Sequence, residues 1–224
     1  AGLGNIGLEV YKNLIKNKKN ILEKTGFKIN ISHISVRNPR KKRDISLPKK
    51  LFVTSPLDLV KLENVDIIVE LIGGSDGMAK KLVFAALKNG KHVVTANKAL
   101  IAEHGMTIFA EAASRGLIVS FEAAVAGGIP IIKALREGLA ANQVSWLAGI
   151  INGTTNFILS QMDSKGREFA DVLAEAQAKG YAEADPTFDV EGIDASHKLA
   201  ILASIAFSTP LSLDGLFTEG ISKL

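Results

Sequence analysis

The 224 residues contain no cysteine, so disulfides, thiolate metal sites and cysteine nucleophiles are all excluded from them. Aromatic side chains are scarce, 6% of the chain with one Trp and two Tyr. A surface that binds nucleic acid by stacking interleaves aromatics with basic residues, and no segment here does so; a nucleic-acid partner is not expected. Long apolar runs are missing too. The most apolar stretch, Ala123 to Ile132, meets Lys133, Arg136 and Glu137 well before the ~18 to 20 residues that a membrane span takes. A secretory leader puts positive charge ahead of an apolar core, whereas glycines lead this chain and its first lysine is Lys12. A cytoplasmic protein without a membrane partner is therefore expected.

What is present is an ordinary globular composition, 47% hydrophobic and 22% charged. The length suggests roughly one and a half domains. The net charge of +4 hides an asymmetry: residues 1 to 50 hold 13 Lys/Arg against 3 Asp/Glu, and the remaining 174 hold 14 against 20. Such a basic end fits a nucleic-acid or membrane patch, or a site for a phosphorylated ligand.

The opening Ala1-Gly2-Leu3-Gly4-Asn5-Ile6-Gly7 begins inside a motif, without the strand that should lead into it, so a partial chain with its first strand missing is expected. Apolar residues from Leu8 to Leu22 recur at helical spacing, and Phe27 to Val36 alternates like a strand. Val65 to Ile72 (VDIIVELI) is a short run, apolar but for Asp66 and Glu70, which suggests a strand buried on both faces of a parallel sheet. A helix from Gly77 to Asn89, a strand from His92 to Ala96, a helix from Lys98 to Arg115 and a strand from Leu117 to Phe121 follow. This alternation predicts a Rossmann-type doubly wound parallel sheet over 1–124. Beyond it, a helix at Ile129 to Ala141, a strand at Val144 to Ile151, and helices at Thr154 to Met162, Glu168 to Ala178 and Val190 to Ala206 predict an α+β domain over 125–224.

Gly2-x-Gly4-x-x-Gly7 is a dinucleotide fingerprint: one glycine turns, the next admits a pyrophosphate, and the third lets helix and strand pack closely. The bland alternative is a glycine-rich surface turn, which the helix directly after it and the strand at crossover distance argue against. The phosphate would meet the helix amino terminus at Asn5 and Ile6. Where an NAD site usually places an acid on the ribose, this chain has Arg37 and then Arg40, Lys41, Lys42 and Arg43. Arg37 can hold a 2′-phosphate by charge-assisted hydrogen bonds, so NADP is favoured and NAD is the alternative. A solvated basic loop accounts for the rest of the cluster.

Between Gly180 and Lys198 lie Glu183, Asp185, Asp189, Glu191 and Asp194 with a single lysine. Asp194 and Lys198 share a helical face, which for an isolated pair usually means an exposed ion pair. Here the apolar neighbours Ile193 and Leu199 to Leu202 predict a buried helix, and a buried charge pair needs a reason.

At this point the sequence resembles homoserine dehydrogenase. The resemblance rests on GLGNIG at 2 to 7, VVTANKALIA at 93 to 102, FEAAVAGGIPIIKALREGL at 121 to 139, INGTTNFIL at 151 to 159 and GYAEADPTFDVEGIDASHKLAIL at 180 to 202. It implies an NAD(P)-dependent oxidoreductase that interconverts L-homoserine and L-aspartate 4-semialdehyde, in the biosynthesis of threonine, methionine and isoleucine. It also implies a catalytic and dimer-forming domain that is incomplete in this chain, and a homodimer or higher homo-oligomer.

By the same resemblance Lys198 is the acid/base residue and Asp194 the group that orients it. Glu183, Asp189, Tyr181, Gly153 and Thr154 would contact an amino-acid substrate. Lys98 would serve both substrate and nicotinamide. Glu122, Val125, Gly127 and Ile129 stand at the spacing of a sodium site built mostly from main-chain carbonyls, the alternative being a plain helix-start turn. A non-catalytic NADP sensor and a different Rossmann-type oxidoreductase are the competing functions.

Overall fold

The computed structural model describes residues 1–224, which divide into two compact units, Ala1–Ala123 and Ala124–Leu224.

In the first unit the glycine turn runs into α1 (Asn5–Lys16) and, after a break at Asn17, α2 (Lys18–Thr25). The single helix expected from Leu8 to Leu22 is thus two. Polar residues from Lys16 to Asn20 leave no apolar stripe across the junction, so nothing holds one continuous axis against the sheet. β1 (Ile34–Ser35) pairs in parallel with β2 (Phe52–Val53), and β3 (Ile67–Glu70), β4 (His92–Thr95) and β5 (Val119–Ser120) form a second parallel set in that order. The strand expected from Phe27 is only two residues long, because Phe27 and Ile29 stay exposed and only Ile34 and Ser35 are buried enough to pair. β2 and the short α3 (Pro56–Leu59), started by a Ser55–Asp58 capping box, were not expected; two-residue strands and single turns leave no periodic signal.

Ala1 and Gly2 join the two sets of strands. The Ala1 amino group donates to the Val69 carbonyl, Leu71 N–H donates to the Ala1 carbonyl at 2.8 Å, and Gly2 N–H donates to the Ser35 carbonyl at 2.9 Å. The order across the sheet is therefore β2, β1, Ala1–Gly2, β3, β4, β5, with the glycine turn at the centre, where strand order reverses in a doubly wound fold. The helices α4 (Met78–Lys88) and α5 (Lys98–Ser114) make the crossovers. Leu82, Val83, Leu87, Leu100, Ile101 and Ile108 are fully buried, each worth about 1.5–3 kcal/mol of transfer free energy.

The second unit consists of helices and irregular chain. A short turn of α-helix, α6 (Ile131–Lys133), continues into a π-type turn through Gly138, and α7 (Gly153–Lys165) and α8 (Phe169–Ala178) pack as a hairpin. Then come α9 (Thr187–Val190) and α10 (Ile193–Phe207), separated by Gly192 at φ +77°, so the helix expected to start at Val190 is split by a left-handed residue. Ile158, Val172, Ala176, Ala182 and Val190 form the core, with Phe157, Met162, Phe169, Leu173 and Ile221 against it. The expected strand at Val144 to Ile151 is not paired, and Trp146 and Ile150 are exposed. A strand needs a neighbour's N–H and C=O groups, and no strand is formed anywhere in this unit.

Candidate active site

The nucleotide end of the first unit is built from close backbone approaches. Gly2 has φ +90°, and a Cβ there would strike the Leu71 carbonyl; a Cβ on Gly7 would strike the Gly2 carbonyl. Glycine is required at both positions for α1 to sit this near the central strand. The first helical bond runs from Leu8 N–H to the Gly4 carbonyl, and Gly4 supplies no side-chain cap. The amides of Asn5, Ile6 and Gly7 thus precede the helix's own bonding, the arrangement that favours an anion.

The basic loop after β1 is more ordered than a solvated run. Arg43 donates to the carbonyls of Lys41 at 2.8 Å and Asn38 at 3.1 Å and reaches the Leu3 carbonyl at 3.5 Å, tying this loop to the glycine turn. Arg37 is exposed just past the end of β1, and Arg40, Lys41 and Lys42 are exposed beyond it. Sequence reasoning grouped Arg43 with its neighbours; its internal role depends on a contact 40 residues away.

Lys98 opens α5 directly after Asn97, whose side chain caps the helix by accepting from Leu100 N–H at 3.1 Å. Glu122 lies in a short 3-10 turn, Val125 is fully buried, Gly127 follows Ala126 with both at positive φ, and Ile129 is exposed. The Ile129 carbonyl accepts from Ile131 N–H, and carbonyl oxygens in such a turn are hard donors of the kind sodium takes. His104 Nε2 sits 3.1 Å from Asp76 and 3.9 Å from Glu103, a group near the surface created by a contact across 28 residues.

In the second unit the chain brings Asp189, Asp194, Lys198 and Thr154 into one polar cluster. Lys198 and Asp194 are four apart on α10, and Lys198 Nζ lies 2.6 Å from Asp194 Oδ2 and 2.7 Å from the Ile151 carbonyl. The side chains are 17% and 5% exposed, so this is not a solvated surface pair. Thr154 Oγ1 donates to the Tyr181 carbonyl at 2.8 Å and approaches Asp189 Oδ2 at 3.2 Å. Gly153 is the first residue of α7, exposed beside them.

Asn152 is the residue that sequence reasoning missed. Its Nδ2 donates to Asp189 Oδ1 at 2.7 Å and to Asp194 Oδ2 at 2.9 Å, while its Oδ1 caps α7 by accepting from Thr155 N–H at 2.8 Å. One buried amide therefore fixes two carboxylates from α9 and α10 to the start of α7. The signal was present in Asn152-Gly153-Thr154-Thr155, an N-cap ahead of a helix, but the cap reading accounts only for Oδ1. Glu183 stands apart from this cluster: its carboxylate is exposed, and only its backbone carbonyl is engaged, by Gln177. Tyr181 is 57% exposed, its ring edge-on to Phe157 at 5.2 Å. His197 is buried, edge-on to Phe188.

The parallel order about a central glycine turn, with a helix amino terminus at its mouth, defines an NAD-binding Rossmann protein; the helical unit after it carries a buried lysine–carboxylate pair. Family models agree on both parts. Residues 2–122 match the homoserine dehydrogenase NAD-binding domain and residues 130–224 match homoserine dehydrogenase. The chain belongs to the homoserine dehydrogenase family. It is 59% identical to homoserine dehydrogenase of Pseudomonas aeruginosa, with all of this chain aligned to 51% of that protein, and 43% identical to that of Bacillus subtilis, again over 51% of it. A solved homoserine dehydrogenase from Thiobacillus denitrificans superposes with a TM-score of 0.92 at 54% identity, over all of this chain and 51% of that one. A hyperthermophilic archaeal homoserine dehydrogenase in complex with NADPH superposes with a TM-score of 0.67 at 28% identity, over 91% of this chain and 60% of that one. The chain spans about half the length of the curated relatives it matches. No helix is long and apolar enough to cross a membrane.

Proposed function

We propose that the protein interconverts L-homoserine and L-aspartate 4-semialdehyde with a nicotinamide cofactor, and that Lys198 is its acid/base residue. The observation that carries this is the seat of Lys198 Nζ, held by Asp194 Oδ2 and the Ile151 carbonyl together. A neutral amine has two N–H groups, and these two acceptors match them, leaving the nitrogen lone pair to take the alcohol proton. The ammonium has three N–H groups, and the third then points where the lone pair did. The same seat thus serves both directions, removing a proton from homoserine and returning one to the forming alkoxide of the aldehyde. A nicotinamide cofactor held at the Gly2–Gly7 turn would supply the hydride chemistry.

Asp194 is the orienting group, itself steadied by Asn152. Asp189, Glu183, Tyr181, Gly153 and Thr154 form the substrate set, with carboxylates available for the substrate ammonium; Lys98 adds positive charge toward the alkoxide. Gly2, Gly4, Asn5, Ile6 and Gly7 take the cofactor pyrophosphate, and Arg37 takes the 2′-phosphate, which makes NADP the preferred cofactor. Glu122, Val125, Gly127 and Ile129 hold sodium through oxygen donors, as a structural ion. The enzyme works in the cytoplasm as a homodimer or larger homo-oligomer, in the biosynthesis of threonine, methionine and isoleucine.

The test is a cofactor-absorbance assay of the full-length enzyme with aspartate semialdehyde, NADPH and NADH run in parallel. Turnover should be lost in Lys198→Ala while NADPH binding stays within about threefold. A Lys198→Ala enzyme that keeps most of its activity removes the acid/base assignment.

A further inference from the structure

We infer that Glu70, a carboxylate outside the cluster described above, is a positioning residue for the reaction, setting the backbone from which Lys98 projects. This rests on the functional reading just given. Glu70 ends β3 and is fully buried, among the largest side chains with no exposure at all. A buried carboxylate without full hydrogen bonding costs several kcal/mol, so its partners define its role. Oε1 accepts from Ile72 N–H at 2.6 Å and Gly73 N–H at 3.1 Å, which closes the chain leaving β3 into a tight turn. Gly73 and Gly74 follow at φ +86° and +81°, values that a side chain would strain.

Oε2 accepts from Thr95 Oγ1 at 2.6 Å, on the neighbouring strand β4. Thr95 Oγ1 in turn accepts from Asn97 N–H at 3.0 Å. Asn97 returns to the first loop, its Nδ2 donating to the Gly74 carbonyl at 2.7 Å, and its Oδ1 caps α5, whose first residue is Lys98. The circuit from Glu70 to Thr95, Asn97 and Gly74 thus locks together the loops at the carboxyl ends of adjacent parallel strands, where a doubly wound sheet binds its ligand. A hydrophobic side chain at 70 would hold β3 in the sheet as well; it would not hold either loop. Building the lock from a carboxylate suits accuracy at Lys98 rather than bulk stability, since polar networks fix one geometry when every member is satisfied.

The test uses the full-length enzyme and the isosteric Thr95→Val, which removes the hydroxyl while keeping a β-branched strand residue, with Thr95→Ser as rescue and Glu70→Gln as the charge-neutral partner. Thr95→Val should lower kcat with aspartate semialdehyde at least tenfold, change KM for NADPH by less than threefold, and speed amide exchange at Gly73 and Asn97. Thr95→Ser should restore kcat to within twofold of the parent. Glu70→Gln should fall in between, because an amide keeps one acceptor but meets the remaining donors with N–H groups. If Thr95→Val melts earlier yet keeps kcat within twofold, the carboxylate is a stabilising staple and the positioning role is refuted. Absence of turnover in the unsubstituted enzyme would instead overturn the functional reading; unchanged exchange at Gly73 and Asn97 in Thr95→Val would then reject the loop lock independently.

Discussion

Replacing Asn152 separates two functions that share one side chain. In Asn152→Ala, α7 loses its N-cap, worth about 1 kcal/mol. Asp189 and Asp194 each lose a donor, and hydrogen bonds to charged groups contribute about 1.5–3 kcal/mol apiece. Losses within one network do not add, so the expected destabilisation is about 3 kcal/mol or more rather than the full sum. In Asn152→Asp the cap oxygen survives, but a carboxylate oxygen now faces Asp189 Oδ1 and Asp194 Oδ2 at the distances where the amide donated, 2.7 and 2.9 Å. Like charges so close raise a carboxyl's pKa, and only the protonated form can donate one of the two lost bonds. The Asp variant should therefore keep α7 intact while its activity falls as pH rises.

Asp194 also receives the Lys198 ammonium, so its displacement moves the group proposed as acid/base, and an ångström of misplacement can cost about a hundredfold in rate. The assay is kcat/KM for aspartate semialdehyde between pH 6 and 9 on full-length enzyme, with urea melts alongside. Expected are a loss of about 10- to 100-fold in Asn152→Asp at the alkaline end, partly relieved toward pH 6, and a larger stability loss in Asn152→Ala. Parent-like activity of Asn152→Asp across the range would show that the amide does not set the positions of Asp194 and Lys198.

Other consequences can be checked separately. Gly7→Ala drives a Cβ into the Gly2 carbonyl, an overpacking that costs about 1–3 kcal/mol, and it should weaken NADPH and NADH alike, measured by fluorescence titration. Arg37→Ala should weaken NADPH selectively; equal loss for NADH would remove the 2′-phosphate role. Hydrogen bonds from Lys179 and then Arg167 hold the Glu175 carboxyl down at about 2. Its folded pKa lies below the unfolded value, so this stabilisation is present above about pH 4.5 and fades as pH falls toward 2. In acid titrations followed by circular dichroism, Glu175→Gln should flatten the stability slope in that window. The effect should shrink in high salt, since these groups are near the surface.

The sequence by itself determined whatever rests on local periodicity or on a short run of residues. Gly2, Gly4 and Gly7 with a following helix specified the nucleotide turn, whose close backbone approaches at Gly2 and Gly7 leave no room for a Cβ. The largely apolar segment from Val65 to Ile72 and the helical stripes of α4 and α5 specified a parallel sheet, and Asp194 with Lys198 lay on one face because α10 is regular. The folded chain alone decided the contacts made across distance. Ala1 and Gly2 entering the sheet between Ser35 and Val69, Arg43 reaching Leu3, and Glu70 reaching Thr95 are separated by 25 to 68 residues. The site follows the same division. The lysine–aspartate pair was legible, whereas Asn152, 37 residues from Asp189 and 42 from Asp194, offered no local pattern beyond a possible N-cap type ahead of a helix and was missed. A hydrogen-bonding side chain advertises its neighbours in sequence, and its partners from other helices become apparent only when packing has brought them within 3 Å.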